Sequence, residues 1–188
     1  WLPHGDPDYL RNQVLASRDR LGVDTIDLYQ YHRPDPDTDF EAAVETFAEM
    51  RDEGEIRHVG LSNVTVDQLE TALDLVDVAT VQNRYNVGHR EDEAVLEACE
   101  DYGVGFIPWG PLYAVDDEDA GPVLEDVAET HDATASQVAL AWLLEHSDVT
   151  LPIPGTSSVE HLEENVGASQ LSLSDDAMAR LNDVDPVA

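Results

Sequence analysis

From Thr25 onward the chain alternates short β-rich runs with stretches of helical period, and this alternation restricts it to folds built on a parallel sheet. A first helix is expected from Pro7 to about Leu21, capped by Asp6 and ended by Gly22. The run Thr25–His32 reads as a strand and leads into a Pro-rich loop. A helix from about Asp39 to Arg51 would bury Phe40, Val44 and Phe47 and stop at Gly54. His58–Asn63 is the next strand, and Thr65 with Gln68 forms a capping box for the helix after it. Val78–Gln82, Val104–Trp109 and Thr150–Pro154 read as further strands. Helices are expected near Glu91–Tyr102, Pro122–Thr130 and Thr134–Glu145, and a last one starting near Ser174. Two more capping boxes are expected, Thr134 with Gln137 and Ser157 with Glu160. The run Val138–Leu143 is apolar nearly all round, which predicts deep burial.

About five β/α units fit either a doubly wound open sheet or a (β/α)₈ barrel. No Gly-rich dinucleotide fingerprint follows a strand, which weighs against the first. A barrel needs eight units and about 250 residues, and 188 residues offer too few. The expectation is therefore an incomplete barrel or an open sheet, forming one domain over residues 1–188.

The charge narrows the partners. Nine basic residues, all Arg, face 41 acidic ones, for a formal net charge of −32. Such a surface excludes nucleic acid, whose phosphates need a basic footprint, and an anionic membrane. No apolar run approaches the ~20 residues of a membrane helix. With no leader of charged-then-apolar type in these residues, a cytoplasmic protein is expected. The acid is spread along the whole chain and Lys is absent. That pattern suits multimolar salt, where a Debye length of about 3 Å or less screens self-repulsion. A single cysteine, Cys99, allows no internal disulfide, and the seven His show no metal-ligand spacing, so no metal is expected.

Polar and aromatic residues fall where strands end: His32, Ser62 and Asn63, Gln82, Trp109, and the hydroxyls of Thr156, Ser157 and Ser158. In both candidate architectures these ends converge on the ligand. His32 can share a proton with, or polarise, a carbonyl. The amides of Asn63 and Gln82 can pair with a carboxamide. Trp109 offers a face for a heteroaromatic ring. Gly155-Thr156-Ser157 opens a helix and reads as a phosphate-sized anion site. Each also has a structural reading: a backbone-tied loop His, amides satisfying strand ends, a core Trp, an ordinary turn.

Taken together these residues resemble the aldo-keto reductases. The resemblance runs through Leu21–Tyr29 to His32-Arg33-Pro34, Gly54–Arg57 with Gly60–Asn63, Val81–Asn86, Pro108–Leu112 and Ile153–Thr156 ending in Glu163-Glu164-Asn165. It implies a (β/α)₈ barrel and NAD(P)H-dependent reduction of a small aldehyde or ketone. His32 would help polarise the carbonyl. Ser62, Asn63 and Gln82 would hold the nicotinamide carboxamide, and Trp109 would stack on its ring. Leu112 would line the pyrophosphate. Gly155, Thr156 and Ser157 would meet the adenosine phosphate, and Glu164 and Asn165 the adenine. His161 stands where NADPH-preferring members often carry Arg, and Gly155 where some carry Lys. The hydroxyls favour NADP, with NAD as the other cofactor the pattern admits. Trp1-Leu2-Pro3 aligns with the end of the family's third strand. The family's catalytic Tyr, with its Asp and Lys partners, would then lie outside this sequence, leaving a chain inactive alone. Open barrel edges would favour self-association. The other reading is a non-catalytic nucleotide-binding or interaction subunit on the same fold.

Overall fold

The structure is a computed structural model describing residues 2–186, so Trp1, Val187 and Ala188 lie outside the described residues. The chain divides into two compact units, residues 1–82 and 83–188.

The first unit holds α1 (Pro7–Leu21), β1 (Ile26–Tyr31), α2 (Phe40–Asp52), β2 (Ile56–Ser62), α3 (Val66–Leu73) and β3 (Val78–Gln82). Its strands pair in chain order and in parallel, with Tyr31 opposite Leu61 and Ser62 opposite Gln82. Parallel neighbours need crossovers, and α2 and α3 supply them. The local signals hold closely here. Asp6 accepts from Tyr9 N at 3.0 Å, and Gly22 ends α1 at φ 68°. The Thr65–Gln68 capping box is closed on both sides. The buried stripe of α2 is Ala43, Val44, Thr46, Phe47 and Met50, whereas Phe40 is half-buried at its start. Phe47 packs against Tyr31, with ring centroids 5.4 Å apart, and the core continues through Val59, Leu61, Leu69 and Val81.

The second unit holds α4 (Glu93–Tyr102), β4 (Gly105–Phe106), a 3₁₀ turn (Tyr113–Asp116), α5 (Ala120–His131), α6 (Ala135–His146), α7 (Val159–Gly167), a 3₁₀ turn (Ala168–Gln170) and α8 (Asp175–Asn182). Two expected strands shrink. Of Val104–Trp109 only Gly105–Phe106 is strand, because Pro108 has no N–H to give a ladder. Thr150–Pro154 is not a strand: Pro152 and Pro154 break its donor series, and one parallel bridge remains, Phe106 with Thr150. Leu151 N still donates to Phe106 O at 2.7 Å. The expected Ser157–Glu160 capping box is also corrected. Thr156 Oγ1 accepts from Ser158 N at 3.1 Å, which turns the chain one residue further, and Ser158 caps α7 by accepting from His161 N.

The predicted burial of Val138–Leu143 is found, all six being 0–2% exposed. Trp142, within that run, donates from Nε1 to Asn182 Oδ1 at 2.9 Å and so ties α6 to the end of α8. Tyr85 stacks on Trp142 at 5.9 Å and meets Phe106 edge-on. Its hydroxyl donates to Glu93 Oε2 at 2.5 Å and lies 2.8 Å from His146 Nε2, which itself reaches Glu93 Oε1 at 3.0 Å. Burial, reinforced by the Glu93 carboxylate, holds the Tyr85 hydroxyl protonated far above the usual phenol range. Tyr85→Phe leaves the stacking and strands Glu93 and His146 without their shared partner. It should destabilise the chain by about 1–2 kcal/mol, read as a lower denaturant midpoint at unchanged slope. Cys99 is fully buried, and burial pushes its thiol up to about 12. At pH 8 a thiol reagent should therefore leave native protein unlabelled and label it fully after unfolding; rapid native labelling would contradict this packing.

Candidate functional site

In the first unit the sequence-predicted residues meet at one end of the sheet. Parallel pairing makes β1, β2 and β3 finish on the same side, so His32, Ser62, Asn63 and Gln82 follow one another across it. Asn63 has φ 57°, a left-handed conformation that Asn tolerates better than most side chains. That turn aims its amide back over the strand ends. Asn63 Nδ2 donates to His32 O and to Ser62 Oγ, both at 2.9 Å. Asn63 N donates to Gln82 O at 3.0 Å, and Ser62 Oγ donates to the same carbonyl at 2.7 Å. Ser62 is buried, Asn63 and Gln82 are half-buried, and His32 is exposed. Both Asn63 N–H groups are thus engaged inside the protein, so any bond from Asn63 to a carboxamide would run through Oδ1. His32 also lines a cavity of about 140 Å³ with His4, Tyr9, Tyr31 and Phe47.

In the second unit the residues form two clusters. Trp109 N donates to Asn83 O at 2.9 Å, and Trp109 O accepts from Tyr85 N. Gly110 then turns the chain at φ 67°, and Leu112, half-buried, leads into the Tyr113–Asp116 turn. The Arg84 guanidinium stands over Trp109 at 5.8 Å and over Tyr113 at 5.9 Å from the ring centroids. The second cluster is the turn before α7. Gly155, Thr156 and Ser157 are exposed, and a Cβ built on Gly155 would meet nothing within 4 Å. With the cap moved to Ser158, the Ser157 hydroxyl is spared that task. His161 is exposed on α7, while Glu164 and Asn165 are half-buried. Asn165 lines a groove of about 430 Å³ with Leu140, Leu144, Pro154, Leu162 and Val166. This groove lies in the usual size range for a small-molecule pocket and has a mostly apolar wall.

Sequence reasoning missed Arg84 as a site residue, although it alternates with Gln82 beside a strand end. It also missed Asn86, whose Nδ2 donates to Gly110 O at 2.9 Å and fixes the loop after Trp109. Among the described residues no three His, Cys, Asp or Glu side chains gather as a metal-holding group, and no helix is long and apolar enough to cross a membrane.

Comparison with known proteins gives one consistent result. An uncharacterized oxidoreductase of Schizosaccharomyces pombe is 48% identical over 183 residues, which are 97% of this chain and 60% of that protein. The pyridoxine 4-dehydrogenase of Escherichia coli is 38% identical over 191 residues, 98% of this chain and 66% of that protein. The chain thus spans about three-fifths to two-thirds of the length of these relatives. A thermostable aldo-keto reductase solved with the inhibitor epalrestat superposes with a TM-score of 0.89 at 34% identity, over 96% of this chain and 68% of that one. Residues 1–186 match the aldo/keto reductase family, and the chain belongs to that family, with its α/β fold and parallel strands.

Proposed function

We propose that this chain carries the dinucleotide-binding part of an NADP-dependent reductase of small aldehydes or ketones, working in a salt-rich cytoplasm. The observation that carries the reading is the Asn63 network, which locks three strand ends into one polar rim beside His32. A rim held by its own hydrogen bonds costs little reorganisation when a ligand arrives. In this reading Ser62, Asn63 and Gln82 hold a carboxamide and His32 orients and polarises the substrate carbonyl. Trp109 stacks on the nicotinamide and Leu112 lies along the pyrophosphate. The exposed Gly155–Ser157 turn takes the adenosine phosphate, its open side at Gly155 leaving room for close approach. His161 sits beside that phosphate, and Glu164 and Asn165 contact the adenine at the edge of the α6–α7 groove. When bound, the dinucleotide supplies the hydride. The hydroxyls of Thr156 and Ser157 support NADP over NAD. The name of the Escherichia coli relative supports a small alcohol–carbonyl pair as the substrate class.

The proton for the forming alkoxide is a separate matter. The sequence contains no Lys, so the Tyr–Lys pair implied by the family resemblance cannot be completed from these 188 residues. We expect the chain as given to bind NADPH in multimolar KCl, read by quenching of Trp fluorescence. Asn63→Ala should weaken that binding about tenfold. We also expect no NADPH oxidation with any aldehyde. Turnover that His32→Ala abolishes would overturn the inactivity, and absence of NADPH binding by folded protein would overturn the function. The charge of −32 leads to one more outcome: the thermal midpoint should climb steeply as KCl rises from millimolar to multimolar. A midpoint independent of salt would remove the case for a salt-rich home.

A further inference from the structure

Arg84 is an anomaly among the half-buried arginines of this molecule; Arg20 and Arg33, which also have no carboxylate at ion-pair distance among the described residues, are exposed to solvent. The chain has 41 acidic side chains, and Arg11, Arg18, Arg51, Arg57 and Arg180 all pair with one or more of them. Arg84, half-buried, has no carboxylate at ion-pair distance among the described residues. Its Nε is buried without a hydrogen-bond partner. The same holds for Nε of Arg18 and Arg90, but their terminal nitrogens are used, by Glu55 and by the carbonyls of Asn182 and Val184. Arg84 instead stands over two aromatic rings. Cation–π contact holds a guanidinium over a ring and leaves its terminal N–H groups for something else.

The surroundings are built for this placement. A Cβ on Gly110 would come within 2.8 Å of Tyr113 Cδ2, so glycine there makes the room in which the Tyr113 ring lies. Asn86 secures Gly110 and accepts from Gly88 N, and Asn86 and His89 exchange backbone bonds at 3.0 Å. Between these two tied loops Arg84 lines a cavity of about 100 Å³ with Asn86, Gly88, His89, Tyr113 and Asp117. The one carboxylate in that wall, Asp117, is engaged in starting α5, accepting from Asp119 N and Ala120 N. His89 has its own carboxylate, Glu91, at 3.6 Å.

We infer that Arg84 is an oxyanion-reading residue: lying over Trp109 and Tyr113, it binds a carboxylate or phosphate group of the ligand. The inference rests on the proposed function for the identity of that ligand, either an anionic carbonyl compound or the dinucleotide's own diphosphate. A guanidinium meets either through paired N–H donors. In so acidic a protein, a half-buried cation with no carboxylate at ion-pair distance among the described residues marks where negative charge is admitted.

The test is equilibrium binding by Trp fluorescence, in one KCl buffer, of 4-carboxybenzaldehyde, benzaldehyde, inorganic pyrophosphate and NADPH. The probes are compared across wild type, Arg84→Gln, Arg84→Lys and the surface control Arg20→Gln, all checked for unchanged circular dichroism. Wild type should prefer the carboxylated aldehyde about tenfold. Arg84→Gln should bring that ratio near one, Arg84→Lys should keep part of it, and Arg20→Gln should leave it at the wild-type value. If Arg84→Gln instead weakens pyrophosphate and NADPH about tenfold, the anion read is the cofactor's diphosphate and the residue's role stands. If it changes neither, or if Arg20→Gln acts equally, the inference is overturned. Wild type that binds no NADPH but keeps the carboxylate preference would refute the proposed function and leave Arg84's role intact.

Discussion

The parallel pairing of β1, β2 and β3 is the constraint from which the first unit follows. A strand that must be re-entered from the same end needs a crossover each time, and α2 and α3 are those crossovers. The price is that three strand ends expose their last carbonyls together. Here the protein answers with side chains as well as backbone: Gln82 O takes bonds from Asn63 N and Ser62 Oγ, and His32 O takes one from Asn63 Nδ2. The left-handed turn at Asn63 is what aims that amide, so a locally unfavourable φ is offset by the bonds it makes possible.

The second unit is organised by a different device. Residues of α4, α6 and α8 meet around Tyr85 and Trp142, two large rings stacked in a core of apolar side chains, with polar tips directed to Glu93, His146 and Asn182. Buried aromatic groups of this kind supply apolar area and orientation together, because each tip has a definite partner. The same chain segment that begins this core, Asn83 to Asn86, also carries Arg84 on the alternate side. Residues 83 and 85 go inward to packing, and residue 84 goes to the cavity wall.

Much of this was legible in the sequence where the determinant is local. The caps of α1, α3 and α6 need only residues three apart, and the strands β1 to β3 need only a β-rich run between turn residues. The readings that failed were those in which several local solutions compete. Thr156, Ser157 and Ser158 can each cap a helix; the Thr156 hydroxyl takes the Ser158 N–H and so decides for Ser158. The apolar runs at 104–109 and 150–154 have strand composition, but their prolines withhold the donors a ladder needs. The Tyr85–Glu93–His146 contact joins residues up to 61 apart, and no local period announces it.

Arg84 belongs to a third class, in which the signal is present but reads only against the whole composition. One Arg beside a strand end is unremarkable in a chain of ordinary charge. With 41 acids and nine Arg, a half-buried guanidinium is expected to find an acceptor, as Arg11, Arg18, Arg51, Arg90 and Arg180 all do. Half-buried and lying over two rings, Arg84 cannot rely on solvent to the extent an exposed Arg can, and its buried Nε makes no compensating bond in the protein. A long polar side chain held this way carries a free-energy cost, part of which an oxyanion on its terminal N–H groups would offset. The acidity of the rest of the surface sharpens this discrimination, since an anionic ligand gains nothing from the general field and must be recognised at contact range.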